Sequence, residues 1–214
     1  MNIIMIGAQG SGKGTQAELL ERELGLKPCA SGELLREHIA AGTPLGREAQ
    51  PYVERGDLVP DALVIQMILD FIRARGEEGI VLDGFPRTIP QAERLDQELA
   101  AMGHTIARVL YLDVPRVQLE ARLSGRYVCR AHGHVWNIVT KPPRVPGICD
   151  SDGSELYQRS DDTPEKIARR LDIFFSETIK LLDFYAAQGK LVRLDGARPI
   201  DEVGREILTA LRGA

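Results

Sequence analysis

The 214-residue sequence contains no long apolar run. Nothing in it approaches the roughly 20 apolar residues of a membrane-spanning helix, so no membrane partner is expected. The apolar stretch at Met1–Ile6 has no basic lead and is too short for a secretory signal. Positive charge is not in excess: 27 Lys and Arg stand against 31 Asp and Glu, a net charge of −4. A general nucleic-acid binder would be basic, with aromatic residues set among its cations, and aromatics here are only 5%. Cysteine is scarce and odd in number, at three. With no secretion signal, that fits a reducing cytoplasm, where cysteines are core residues, metal ligands or nucleophiles. Internal repeats and low-complexity tracts are absent as well. What is present is 43% hydrophobic sequence, enough for one globular domain with a small insertion.

Asn2–Ile6 reads as a buried parallel strand that runs into a glycine-rich turn. Lys13–Leu24 has helical spacing and stops at Gly25. Further strands are expected at Gly79–Asp83, Ala107–Asp113 and Lys190–Asp195. Helical patterns are expected at Ser31–Ala41, Asp61–Arg75, Thr88–Met102 and Thr163–Gln188, with a last helix from about Pro199. Alternating strands and helices predict an α/β fold, a three-layer arrangement with a parallel sheet flanked by helices. From about Arg126 to Asp162 that rhythm fails, and Gly, Pro and polar residues dominate. So long a stretch without periodicity predicts a small inserted subdomain or a mobile lid.

The strongest motif is Gly7-Ala8-Gln9-Gly10-Ser11-Gly12-Lys13-Gly14-Thr15, between the first strand and the first helix. Phosphate binding needs several N–H donors at close range, and glycine lets the backbone approach. The helix N-terminus adds its dipole. Lys13 would neutralise the β- and γ-phosphates, and Thr15 would help hold a Mg²⁺ shell. The generic pattern wants Ser or Thr directly after the lysine, whereas Gly14 intervenes here. Asp83, at the end of a strand, could reach Mg²⁺-bound water.

Asp83-Gly84-Phe85-Pro86-Arg87-Thr88, followed by Gln91, resembles the signature of the adenylate kinase family. So do the Gly12-Lys13-Gly14-Thr15 ending, Ser31-Gly32 with Arg36, Arg55-Gly56-Asp57-Leu58-Val59-Pro60, Gly125-Arg126, Arg159-Ser160-Asp161-Asp162, Arg169-Arg170 and Asp195-Gly196. The resemblance runs in order along the whole chain, and the insert has the length of the long-lid bacterial type. It implies a P-loop NTPase fold with a core of 1–30, 60–125 and 163–214, an AMP-binding segment at 31–59 and a lid at 126–162. The implied reaction is reversible, Mg²⁺-dependent transfer of the ATP γ-phosphoryl group to AMP, giving two ADP, by a cytoplasmic monomer.

The resemblance also implies roles residue by residue. Gly10, Ser11, Gly12, Lys13, Gly14 and Thr15 would hold ATP phosphates. Arg122 would pack on the ATP adenine, and Arg198 would lie beside it. Ser31, Gly32, Arg36, Gly84 and Arg87 would hold the AMP phosphate and sugar. Leu58 and Val59 would line the AMP base pocket, and Gln91 would read the adenine edge. Arg126, Arg159 and Arg170 would surround the transferring group, the last two also touching AMP. Asp161 and Asp162 match carboxylates that engage on lid closure. Gln9 and Ser31 depart from the usual proline and threonine but preserve the backbone and the donor.

Cys129-x-x-His132 and Cys149-x-x-Asp152, sixteen residues apart, resemble a zinc knuckle. In the resembled family these four positions hold either zinc or a metal-free polar network, and this set sits nearer the zinc group. A structural Zn²⁺ is therefore expected in a lid too small for a good core. His134 and Trp136 read as packing residues, Cys29 as core, and His38 and His104 as surface. The competing readings are a kinase for UMP or CMP, a non-catalytic nucleotide sensor, and a zinc-knuckle nucleic-acid binder.

Overall fold

Strand β1, Asn2–Ile6, is buried at all five positions, as a continuous apolar run predicts for the centre of a parallel sheet. A computed structural model describes residues 1–75, 78–139 and 141–212. Parts of the predicted ranges 60–125, 126–162 and 163–214 lie outside the described residues, but none of the candidate site residues does. The chain continues through α1 (Lys13–Leu24), β2 (Lys27–Ala30), α2 (Ser31–Ala40), α3 (Pro44–Arg55), α4 (Asp61–Arg73), β3 (Ile80–Asp83), α5 (Ile89–Ala101) and β4 (Ile106–Asp113). Then come α6 (Arg116–Ser124), the short strands β5 (Arg126–Cys129), β6 (Val135–Asn137) and β7 (Leu156–Tyr157), and α7 (Pro164–Ser176). A 3₁₀ turn at Thr178–Lys180 leads to α8 (Leu181–Ala187), β8 (Leu191–Asp195) and α9 (Ile200–Arg212).

Five strands form one parallel sheet in the order β2-β3-β1-β4-β8. Ile4 sits opposite Leu82 on one side and Val109 on the other. Alternate residues of β1 serve opposite faces. Ile3 and Met5 pack with Ala17 and Leu20 of α1 and with Val203 and Ile207 of α9. Ile4 and Ile6 join the larger cluster on the other face, with Ile68, Leu95, Leu171 and Tyr185. Each buried aliphatic side chain contributes about 1.5–3 kcal/mol, so the layered core carries the fold. Because β1 lies between β3 and β4, the chain leaves it in a crevice at the C-terminal edge, where open α/β sheets bind ligands.

Residues 126–162 contain a separate antiparallel sheet ordered β6-β5-β7. Its own cluster is small: Cys129, Trp136, Cys149 and Leu156, with Tyr127 packed against them. Among the described residues no helix is long and apolar enough to cross a membrane. All three cysteines are unpaired and buried.

Candidate active site

The glycine-rich loop turns between β1 and α1 because Gly12 takes φ 98° at the helix N-cap, a conformation that side chains rarely adopt. The turn brings Lys13 back over the strand end. Its Nζ donates to the carbonyls of Gly7 (2.8 Å) and Ala8 (3.0 Å) and lies 3.8 Å from Asp83. Burial lowers the Lys13 pKa; Asp83 opposes that, while Arg87 and Arg126 add to it. The sheet register sets Asp83 opposite Met5, beside the loop. Gly14 shares that neighbourhood, since a Cβ there would come 3.9 Å from Asp83.

The loop opens on a cleft of about 1160 Å³. Gly10, Ser11, Gly12, Lys13, Gly14, Thr15 and Asp83 line it, and so do Arg122 and Arg198. Arg122 reaches the carbonyls of Gly10 (3.4 Å) and Gly196 (3.2 Å), bridging the loop to the turn after β8. Arg198 also borders the cleft, but its guanidinium pairs with Glu202 and Glu206 of α9, both at 2.8 Å. Ser31, Gly32, Arg36, Leu58, Val59, Gly84, Arg87 and Gln91 line the same cleft. The structure thus gathers both predicted nucleotide sets around one space.

Gly84 organises its neighbours in this second set. At φ 75° it takes a left-handed turn, and a Cβ there would lie 2.9 Å from Ser31 Oγ and 3.3 Å from an Arg87 amino group. Its carbonyl accepts from Ser31 Oγ and from Arg87 Nε, both at 2.8 Å. One peptide unit thereby positions a hydroxyl and a guanidinium. Burial lowers the Arg87 pKa; Asp83 counters this, and Arg170 and Arg36 add repulsion.

Arg126, Arg159 and Arg170 line the same cleft. Asp162, only 3% exposed, holds two of them. Arg126 forks onto it through Nε (2.9 Å) and an amino group (2.5 Å). Arg170 bonds Asp162 at 2.7 Å and Asp161 at 2.6 Å. Burial by itself would raise the Asp162 carboxyl, but the bonds from Arg126 and then Arg170 outweigh it and hold the group low. The buried Nε of Arg159, like that of Arg170, has no partner among the described residues. Burial first, then Arg36 and Arg126, push Arg159 down to about 10, which still leaves it cationic at neutral pH. Holding such cations together is unfavourable unless an anion joins them, and phosphate oxygens match their planar N–H forks.

In the small sheet, donor atoms of Cys129, His134, Cys149 and Asp152 lie within 4.8 Å of one another. Tetrahedral zinc with sulfur at 2.3 Å spaces its ligands about 3.8 Å apart, so this set fits zinc after a small contraction. The expected set has His132 in place of His134; in the structure it is His134 whose ring nitrogen converges with the other three donors. The turn that closes with Gly133 N on Cys129 O brings the backbone N–H of His132 to Cys129 Sγ (3.3 Å). The His132 ring is left bonded to Asp152 (2.8 Å), while His134 Nδ1 lies 3.4 Å from Cys149 Sγ and 3.3 Å from Asp152. Burial and the Asp152 bond raise the Cys129 thiol, but Ser154 and the backbone N–H groups of the turn outweigh them and bring it to about 7. Thiolate is therefore available for a cation near neutral pH.

A cleft that gathers a phosphate loop, a second set of cationic and hydroxyl donors and three further arginines suits polyanionic ligands. That defines a P-loop phosphotransferase. The family model for adenylate kinase matches residues 5–190. The chain is 46% identical to the adenylate kinase of Carboxydothermus hydrogenoformans, over 99% of this chain and 100% of that one. It is 44% identical to that of Dehalococcoides mccartyi and 43% identical to that of Methanothrix thermoacetophila, each over 99% of this chain and 98% of the relative. The chain belongs to the adenylate kinase family, and it is a nucleoside monophosphate kinase.

Proposed function

We propose that the phosphate-loop side of the cleft binds Mg·ATP, that the opposite side binds AMP, and that the γ-phosphoryl group passes directly between them. The observation that carries this reading is the single cleft lined by both sets of residues together with Arg126, Arg159 and Arg170. Phosphoryl transfer needs in-line positioning and charge neutralisation more than covalent help. Lys13, Arg87 and the three arginines would supply the neutralisation, and the AMP phosphate would be the nucleophile. Thr15 and Asp83 would hold the Mg²⁺ that accompanies ATP, and the ion would supply further charge neutralisation to the phosphates. Leu58 and Val59 would enclose the AMP base, and Gln91 would read its edge. Arg122 and Arg198 would flank the ATP base. Residues 31–59 would act as the AMP segment and 126–162 as the lid, excluding water that could accept the phosphate.

Zinc would be held by Cys129, Cys149, Asp152 and one imidazole, with His134 favoured by the observed convergence and His132 steadying Asp152. With four protein ligands its role would be structural. The family resemblance supports a monomer, and three cysteines outside any disulfide fit a reducing cytoplasm. The test is ADP formation from Mg·ATP with AMP, CMP, UMP, GMP and shikimate as parallel acceptors. The reading expects strong AMP-selective turnover that needs Mg²⁺. Preference for a pyrimidine acceptor would overturn the AMP assignment, and no turnover with any acceptor would overturn catalysis.

A further inference from the structure

Gln91 is 2% exposed, yet it borders the cleft. An amide is symmetric in shape and reversed in chemistry on its two sides, so its neighbours decide which side presents oxygen. Here both neighbours are unambiguous. The backbone N–H of Arg87 can only donate, and Gln91 Oε1 accepts from it at 2.7 Å. The carboxylate of Asp61 accepts from Gln91 Nε2 at 2.6 Å. Thr88 Oγ1 donates to the second oxygen of Asp61 at 3.0 Å and accepts from Gln91 N at 3.3 Å. Asp61 is the first residue of α4 and Thr88 caps α5, so two helix starts clamp one amide.

Two bonding positions on Gln91 remain, one lone pair on Oε1 and one hydrogen on Nε2. Side by side they form an acceptor–donor edge. Adenine presents the complement, an amino donor at position 6 and an acceptor at N1. Hypoxanthine presents the reverse, an oxygen at position 6 and an N1–H. To pair with it, the amide must turn over. Its oxygen would then face the Asp61 carboxylate, and its NH₂ would face the Arg87 N–H. We propose that Asp61 is a specificity-determining positioning residue, which holds the Gln91 amide in the orientation that accepts 6-amino purines and rejects 6-oxo purines. This rests on the reading that Gln91 faces the acceptor base. Cytosine carries the same donor–acceptor order as adenine, so its exclusion falls to pocket size and not to Asp61.

The test compares AMP with inosine monophosphate as acceptors in wild type, Asp61→Ala, Asp61→Asn and Gln91→Ala. In Asp61→Ala the AMP-to-IMP ratio of kcat/KM should narrow about tenfold, chiefly through a higher KM for AMP and a lower KM for IMP, with KM for ATP unchanged. Asp61→Asn, an isosteric amide that can turn over and present its NH₂ to a turned-over Gln91, should narrow the ratio as well; it serves if the alanine variant folds poorly, and an unchanged ratio there would overturn the role of the Asp61 carboxylate. An unchanged ratio in a folded Asp61→Ala protein, while Gln91→Ala abolishes selectivity, would overturn the role of Asp61 alone. Unchanged selectivity in Gln91→Ala would overturn the underlying reading of Gln91.

Discussion

Replacing Asp162 with alanine removes a fully enclosed carboxylate from between two guanidiniums. The Asp162 side chain has no exposed surface, and those of Arg126 and Arg170 are 15% and 10% exposed. Removing one partner from a buried pair costs about 3–5 kcal/mol, mostly because the charge left behind is uncompensated. Arg170 keeps its bond to Asp161, which moves the expectation to the lower end, about 3 kcal/mol. A chain of this size shifts by about 2–4 °C per kcal/mol, so the melting temperature should fall by about 6–12 °C. Activity should fall too, since both arginines lose the group that aims them. The isosteric Asp162→Asn variant separates charge from shape through its pH dependence. The native carboxyl lies below its unfolded value, so its contribution is complete above about pH 5 and is lost as pH falls through the native value. The stability gap between wild type and Asp162→Asn should be flat from about pH 5 to about pH 8 and shrink on acidification. Calorimetry across that range provides the assay. A loss under about 2 °C in Asp162→Ala, or a gap that widens in acid, would refute the reasoning.

Other outcomes follow from the same geometry. Lys13→Met should lower kcat about a hundredfold or more while circular dichroism stays native, and near-normal turnover would contradict the role of Lys13. Gly84→Ala forces a side chain into φ 75° against Ser31, at about 1–2 kcal/mol of strain, so KM for AMP should rise about tenfold with KM for ATP little changed. Purified protein should keep close to one equivalent of zinc after exhaustive dialysis, and less than about a tenth would sink the zinc proposal. His134→Ala should lose that zinc more readily than His132→Ala, and the opposite order in metal analysis would restore His132 as the ligand.

The strongest local signals located most of the frame. The buried run at Asn2–Ile6, the glycine-rich loop and α1 lie at the predicted places, because a period-free apolar strand, a lysine-bearing turn and a 3.6-residue pattern are all local properties. The strand β2 was not legible, since Lys27-Pro28-Cys29-Ala30 offers little strand character and gains its place by pairing with β3. The helix α3 was missed as well: Gly46 and Pro51 argue against a helix, yet the Thr43 cap and Pro44 start it and it packs on α2. The predicted helix Thr163–Gln188 is divided after Ser176 by a 3₁₀ turn that no Pro or Gly announces. At the site, the arginines were legible through the resemblance. Asp61 was not, because its role depends on contacts made 27 and 30 residues away. That His134 and not His132 converges with the other three donors arises from a turn whose exact path no spacing rule specifies.

The most direct test follows the phosphoryl group itself. ATP labelled in its γ-phosphate is mixed with AMP, Mg²⁺ and excess protein, and the products are separated after a single turnover. Direct transfer predicts that the label appears in the β-phosphate of ADP newly made from AMP, with none in inorganic phosphate. Label released as inorganic phosphate, or retained in ATP while both nucleotides are bound, would contradict the account.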